Sequence, residues 1–105
     1  MDTKDKRLAF LVMTGPDSQD IYNVIGLSDA ALGKGIGVDI FLMHRGVLNA
    51  SVPGLDALVD KGAVITVCAH NAGEAKAHRN EKFNYGSQFD HANIIGDSTR
   101  YLAFA

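Results

Sequence analysis

Three short apolar runs, separated by stretches with helical periodicity, constrain the fold of this chain more than any other feature. The runs occupy residues 8–13, 38–43 and 63–67. Each is of strand length and is dominated by apolar side chains, as expected for strands covered on both faces of a sheet. A strand, helix, strand, helix, strand order favours a parallel sheet with right-handed crossovers and helices on both of its faces.

The helical patterns between the runs are clear in the first half of the chain. From Ile21 to Leu32, apolar residues recur every three or four positions, and Gly33 and Gly35 end the pattern. Asp17 or Ser18 is the expected N-cap of this helix. A shorter second helix contains Leu55, Leu58 and Val59 and ends at Gly62, whereas the polar segment after His44 is expected to be irregular.

The last third of the chain carries weaker patterns. Residues 71–78 favour a third helix, although most of its apolar residues are alanines. Another short helix is expected after Gly86, and residues 101–104 predict a closing strand at a sheet edge or a subunit contact. We therefore expect an α/β fold with a small open, mostly parallel sheet of about five strands and helices on both faces. The 105 residues form one domain in this interpretation, with residues 1–6 as a flexible start.

Composition excludes several classes of protein. A single cysteine cannot form an intrachain disulfide or a paired-cysteine zinc site. The net charge of -2 provides no basic excess for binding nucleic acid directly. The first apolar run is too short for a signal sequence or a membrane span, so we expect a cytoplasmic protein that does not bind membranes.

The carboxyl ends of the predicted strands define where a site is expected. Loops diverge at that edge of a parallel sheet, and residues 14–18, 44–49 and 68–71 all reach it. Cys68 lies there, at the end of the third strand and the start of a predicted helix, where the helix N-terminus favours a thiolate. His70 and Asn71 are candidates to support that thiolate. The alternative is that Cys68 only packs in the core, as free cysteines commonly do.

Other patterns are better explained by structure than by chemistry. Gly33, Gly35 and Gly37 follow a helix and precede a strand, which is the wrong edge of the sheet for a dinucleotide fingerprint. The four histidines lack the spacing of a metal site, so we predict no metal and no cofactor. A pocket that binds a metal or small molecule through Cys68 and His70 remains a less favoured alternative.

Several segments, taken in order, resemble the DsrE/DsrF/TusD family of sulfur-relay proteins. The resemblance spans residues 8–104 and is carried by the turn at residues 14–16, the segment 41–50, the third strand 64–68 and the terminal segment 98–104. The segment 73–85 has no clear counterpart in the family, and the stretch between the second and third strands is shorter than in its TusD branch.

The resemblance implies a DsrE-like fold, assembly into trimers or hexamers, and sulfur transfer through a cysteine that becomes a persulfide. Cys68 matches the family's persulfide cysteine and is the one residue to which the resemblance gives a catalytic role. The residues at recurring loop positions are assigned at most a part in shaping the pocket. These are Thr14, Gly15, Arg45, Gly46 and Asn49.

The resulting expectation is a sulfur-relay protein, a sulfurtransferase-like persulfide carrier that accepts sulfane sulfur on Cys68 and passes it to a partner thiol. Its partners would be a donor and an acceptor protein. A mean hydropathy of +0.02 in so small a domain also favours a homo-trimer or hexamer, or a hetero-oligomer with related subunits. The alternative is a non-catalytic assembly or small-molecule-binding subunit of the same fold, with Cys68 only packed.

Overall fold

Five strands form one parallel sheet in the computed structural model, which describes residues 5–105. The spatial order is β4-β3-β2-β1-β5, and every neighbouring pair is parallel. The strands are β1 Arg7–Val12, β2 Gly37–Leu42, β3 Val64–Cys68, β4 Asn84–Gly86 and β5 Arg100–Phe104. All five carboxyl ends therefore meet at one edge of the sheet.

Four α-helices and one 3₁₀ helix connect these strands within the described residues. They are α1 Asp20–Gly33, the 3₁₀ helix His44–Ser51, α2 Leu55–Asp60, α3 Ala69–Ala75 and α4 Gln88–Asp97. The chain moves outward from β1 through β4 and then returns across the sheet to β5 on the other side of β1. Because crossovers are right-handed, this reversal puts α4 on the opposite face from α1 and α2.

The two faces of the sheet are covered unequally. On the first face, Phe10, Ile40, Leu42 and Val67 are inaccessible to solvent, and helices α1 and α2 bury their apolar sides against this layer. On the second face, α4 is the one helix between residues 5 and 105 that packs against the strands, and none of its residues is fully buried. Side chains alternate along a strand, and Cys68 belongs to this second, less completely covered face.

The predicted fold class is confirmed, since the sheet is parallel, has five strands and carries helices on both faces. The first three strands lie within one residue of their predicted bounds, and the closing strand β5 lies at the sheet edge as expected. Strand β4, which the sequence did not locate, lies at the other edge and has three residues.

Three local predictions are wrong. The segment after His44 is a 3₁₀ helix rather than irregular chain, because the side chain of Asn49 binds backbone carbonyls that hold it folded. Helix α3 begins at Ala69 and ends at Ala75 instead of covering 71–78. The N-cap of α1 is Gln19, which makes no side-chain cap, while the Ser18 Oγ accepts a hydrogen bond from the Asp20 N–H at 3.1 Å.

The flexible start expected over residues 1–6 falls mainly on residues 1–4, which lie outside the described residues. The Lys6 carbonyl accepts a hydrogen bond from the Gly37 N–H at 3.0 Å. No helix between residues 5 and 105 combines the length and apolar content needed to cross a membrane.

Gly46 provides a direct test of how closely the 3₁₀ helix approaches β1. A Cβ atom at this position would overlap the backbone carbonyl oxygen of Val12, and backbone cannot move aside as a side chain can. We expect Gly46→Ala to lower the free energy of unfolding by about 2 kcal/mol or more in urea denaturation. The control is Gly26→Ala in the middle of α1, where nothing lies within 4 Å and alanine should stabilise the helix by about 0.5–1 kcal/mol. Equal effects of the two substitutions would contradict the packing described for Gly46.

Candidate functional site

Cys68 lines a cavity of about 650 Å³ at the carboxyl edge of the sheet. The cavity lies beyond the ends of β2, β3 and β4 and beside the first turns of α3 and α4. Its lining residues are Met43, His44, Cys68, Ala69, His70, Asn71, Gly86, Ser87 and Gln88. Cys68 is 7% exposed and forms no disulfide, so its thiol is buried in the fold but belongs to the wall of an open space.

The position of Cys68 follows from the way β3 ends. Val67 is the last residue of β3 that pairs with β2, and Cys68 still pairs with Gly86 of β4. With φ -63° and ψ 111°, Cys68 is extended and serves as the N-cap of α3. The thiol therefore lies where strand becomes helix, which is the location that the sequence predicted for it.

Asn71 ties the start of α3 to the loop after β2. Its Oδ1 accepts a hydrogen bond from the His44 N–H at 2.9 Å, and its Nδ2 lies 3.3 Å from Glu74 Oε1. His44 has a φ of +51°, a left-handed conformation that costs free energy in a residue other than glycine. The Asn71 side chain thus helps to hold His44 at the wall of the cavity.

His70 lines the same cavity but faces solvent. Its side chain is 81% exposed, and Nε2 lies 3.4 Å from Glu74 Oε1, one helical turn away. Both candidates for thiolate support therefore share the cavity with Cys68, and both also contact Glu74.

The residues proposed to shape the pocket form a separate group around the ends of β1 and β2. Asn49, which is fully buried, donates from Nδ2 to the carbonyls of Thr14 at 2.8 Å and Gly46 at 3.0 Å. The Thr14 hydroxyl lies 2.7 Å from Asp20 Oδ2, at the start of α1. These contacts fasten the 3₁₀ helix to the turn after β1.

Arg45 and Gly15 belong to this second group. The Arg45 guanidinium makes an exposed ion pair with Asp17 at 3.3 Å, and a Cβ at Gly15 would contact both of those side chains. Arg45 also lines a neighbouring cavity of about 430 Å³. His44 and Asn71 line both cavities, whereas none of the five residues of the second group lines the cavity of Cys68.

The structure adds one segment to the cavity that the sequence did not assign to it. Gly86, Ser87 and Gln88 reach the cavity because β4 ends beside β3. A signal for this segment is present in the sequence, since Ser87 and Asp90 have the spacing of a capping box. The structure contains that box: Ser87 Oγ accepts from the Phe89 N–H at 3.2 Å, and Asp90 Oδ2 accepts from the Ser87 N–H at 2.8 Å.

Gln88 also connects the cavity to a partly buried layer beneath α4. Its Oε1 lies 3.0 Å from His91 Nδ1, and its Nε2 lies 3.6 Å from the Met43 sulfur. His91 Nε2 lies 3.0 Å from the Tyr101 hydroxyl, and the imidazole stacks on Phe41 with ring centroids 4.8 Å apart. Burial lowers the pKa of His91 and raises the pKa of Tyr101, which in both cases favours the neutral form of the side chain.

The side chains around Cys68 do not make a metal centre. Between residues 5 and 105, no three side chains of His, Cys, Asp or Glu are grouped so that they could hold a metal ion. What the arrangement offers chemically is a single thiol with hydrogen-bonding groups around it.

Fold and site together define a class of protein: a small parallel α/β domain with one thiol at the carboxyl ends of its strands. Among solved structures, the chain is similar to the crystal structure of the YchN protein from E. coli, which has a DsrE-like fold. The two share 11% sequence identity with a TM-score of 0.64, and the similarity covers 95% of this chain and 99% of YchN. No family model and no curated protein matches the sequence. The comparison therefore supports the fold over nearly the whole length of both chains.

Asn49 gives a test of the connection between the turn after β1 and the 3₁₀ helix after β2. We expect Asn49→Ala to lower the free energy of unfolding by about 2 kcal/mol, because two buried carbonyl contacts are lost. Asn23→Ala is the matched control, since Asn23 is exposed on α1 and has no side-chain hydrogen bond within residues 5–105. Its effect should stay within about 0.5 kcal/mol in the same denaturation experiment. A small effect at Asn49 would mean that its side chain does not hold the 3₁₀ helix.

Proposed function

We propose that this protein carries sulfane sulfur as a persulfide on Cys68 and passes it to a thiol of a partner protein. The observation that carries the proposal is that the one cysteine of the chain lines a cavity at the carboxyl edge of a parallel sheet. Ligands of open α/β sheets bind at this edge. The DsrE-like fold of YchN and the resemblance of the strand-end segments to sulfur-relay proteins support the same assignment.

The transfer requires one attacking thiolate in each step. The Cys68 thiolate attacks the outer sulfur of a donor persulfide, the sulfur–sulfur bond of the donor breaks, and the donor leaves as a thiolate. The product is Cys68–S–SH. An acceptor thiolate then attacks the outer sulfur, and its bond to Cys68 breaks to restore the thiolate. Neither step needs a second cysteine in this chain, because donor and acceptor each supply their own.

The alternative is a cysteine that only packs, and its 7% exposure favours that interpretation. Cys68 contacts the apolar core that includes Val67 and Ile65. In this second function the chain would be a binding or assembly subunit with no sulfur chemistry. The two functions differ in whether small reagents reach the sulfur in the folded protein.

Intact mass spectrometry tests the persulfide directly. After incubation with inorganic polysulfide and removal of excess reagent, the wild type should gain the mass of sulfur, and a reductant such as dithiothreitol should remove it. Cys68→Ser should gain nothing. A wild type that never gains sulfur, or a serine variant that gains as much, would refute the persulfide function.

Labelling of the thiol distinguishes access through the cavity from access through unfolding. We expect a small alkylating reagent to modify Cys68 at the same rate in the wild type and in Asn49→Ala. If labelling required global unfolding, a loss of about 2 kcal/mol would accelerate it about 30-fold. Such an acceleration would favour the packed alternative.

Assembly into a trimer or hexamer, or with related subunits, is part of the same proposal. Large apolar side chains are exposed on α4 and on the edge strand β5, with Phe89 74%, Ile95 41% and Leu102 44% exposed in the single chain. A trimeric arrangement would bury such residues between copies of the domain. Light scattering of the purified protein should give three or six times the mass of the 11.2 kDa chain. A stable monomer would exclude homo-oligomeric assembly and leave assembly with related subunits as the form to test by co-purification.

A further inference from the structure

We infer that the side-chain amide of Gln88 binds the outer sulfur of the Cys68 persulfide, and that His91 is the residue that positions this amide. The inference rests on the proposed persulfide function and adds a specific hydrogen-bond donor to it. Gln88 belongs both to the wall of the Cys68 cavity and to a hydrogen-bonded chain beneath α4.

The orientation of the Gln88 amide is set by its two neighbours. The Met43 sulfur accepts hydrogen bonds and cannot donate one, which places the NH₂ group of Gln88 towards Met43. The carbonyl oxygen then faces His91 Nδ1 at 3.0 Å. Because that oxygen only accepts, His91 carries its proton on Nδ1, and its bare Nε2 accepts from the Tyr101 hydroxyl at 3.0 Å.

His91 is itself held in place on the second face of the sheet. Its ring stacks on Phe41 at an interplanar angle of 13°, and Phe41 is completely buried in β2. The imidazole is thus fixed by one stacked ring and two hydrogen bonds. His91 anchors one end of the Gln88 amide, and this exposed side chain lines the cavity.

One N–H of the Gln88 amide remains available to a ligand. The NH₂ group has two donors, and within residues 5–105 Met43 is its one acceptor, at the long distance of 3.6 Å. A persulfide ionises more readily than a thiol, so the outer sulfur on Cys68 is an anion that needs donors. Among the other side chains of the cavity, His70 and Asn71 both contact Glu74, whose negative charge disfavours an anion beside them.

A donor aimed at the outer sulfur stabilises the loaded state over the free thiolate. The relevant reaction is exchange with glutathione persulfide: the Cys68 thiolate takes the outer sulfur, and glutathione leaves as a thiolate. The number of sulfur–sulfur bonds is unchanged, so the equilibrium constant reports how well the protein holds the persulfide. Removing one hydrogen bond to the anionic sulfur should lower that constant about tenfold.

Two substitutions at Gln88 separate binding of sulfur from a purely structural role. Gln88→Leu removes the donor and the contact with His91, and the equilibrium constant should fall about tenfold. Gln88→Glu keeps an oxygen that accepts from His91 Nδ1, and an acidic residue in the first turn of α4 favours the helix. The negative charge of the introduced carboxylate repels the anionic sulfur. The equilibrium constant for loading should therefore fall at least as far as in Gln88→Leu, although the fold is retained. A structural role predicts the opposite order, with Gln88→Glu close to the wild type.

Substitutions at His91 test its positioning role. Asparagine at this position retains a donor in place of Nδ1–H, whereas phenylalanine retains the stacking on Phe41 and loses the donor. We expect His91→Asn to restore most of the loading that His91→Phe loses. Equal loading of these two variants would overturn the role of His91.

The experiment measures the loaded fraction of each variant by intact mass over a range of ratios of glutathione persulfide to glutathione. Gln19→Glu is the control for the added charge, since Gln19 makes no side-chain cap at α1 and does not line the cavity. If the wild type takes up no sulfur, both the persulfide function and this inference are overturned. If the wild type loads and both Gln88 variants stay within about twofold of it, only the role of Gln88 is overturned.

Discussion

Parallel pairing of all five strands is the constraint on which the site depends. In such a sheet every strand delivers its carboxyl end to the same edge, and every following loop must begin there. Cys68, His44 and Gly86 are far apart in the chain, yet they line one cavity because each follows or ends a neighbouring strand. The cavity is thus a consequence of topology, and its chemistry depends on which side chains occupy these three strand ends.

The unequal covering of the two faces explains why the cavity is open. Helices α1 and α2 close the first face over large side chains with no exposed area, whereas the second face has α4 and polar groups. Asp39 points to this second face and is 7% exposed, and Arg7 neutralises it through a two-point contact at 2.7 and 3.0 Å. The same contact raises the pKa of Arg7 above its usual value. Asp39 on this face is therefore paired, and near the carboxyl edge Gln88, His91 and Tyr101 form a second set of polar contacts on the same face.

Much of the architecture could be predicted from the sequence because burial leaves a strong pattern. Strands β1, β2 and β3 consist mostly of buried apolar residues, and α1 buries one side at a spacing of three and four residues. Strand β4 has three residues, none of them fully buried, so it leaves no alternation to detect. The 3₁₀ helix depends on hydrogen bonds from Asn49 to the carbonyls of Thr14 and Gly46. Such contacts leave no periodic pattern of apolar residues in the sequence from which they could be predicted.

The residues of the site also differ in whether the sequence could predict their position. The rule that sites lie at strand ends was sufficient to bring Cys68, His70 and Asn71 to one cavity. Gln88 could not be placed there without β4, because that short edge strand pairs with β3 and ends beside Cys68. The residues at recurring loop positions, Thr14 and Asn49 among them, fasten the loops after β1 and β2 to each other instead of lining the Cys68 cavity.

A sulfur carrier of this size needs both protection and access for one atom. Burial to 7% shields the thiol of Cys68 from bulk solvent, and the cavity leaves room for a small sulfur species beside it. Charged donors would hold an anionic sulfur tightly and slow its release, whereas a neutral amide such as that of Gln88 provides a weaker hydrogen bond. The proposed relay must bind its cargo and also release it, and the proposed network of Gln88, His91 and Tyr101 would meet both requirements better than an ion pair.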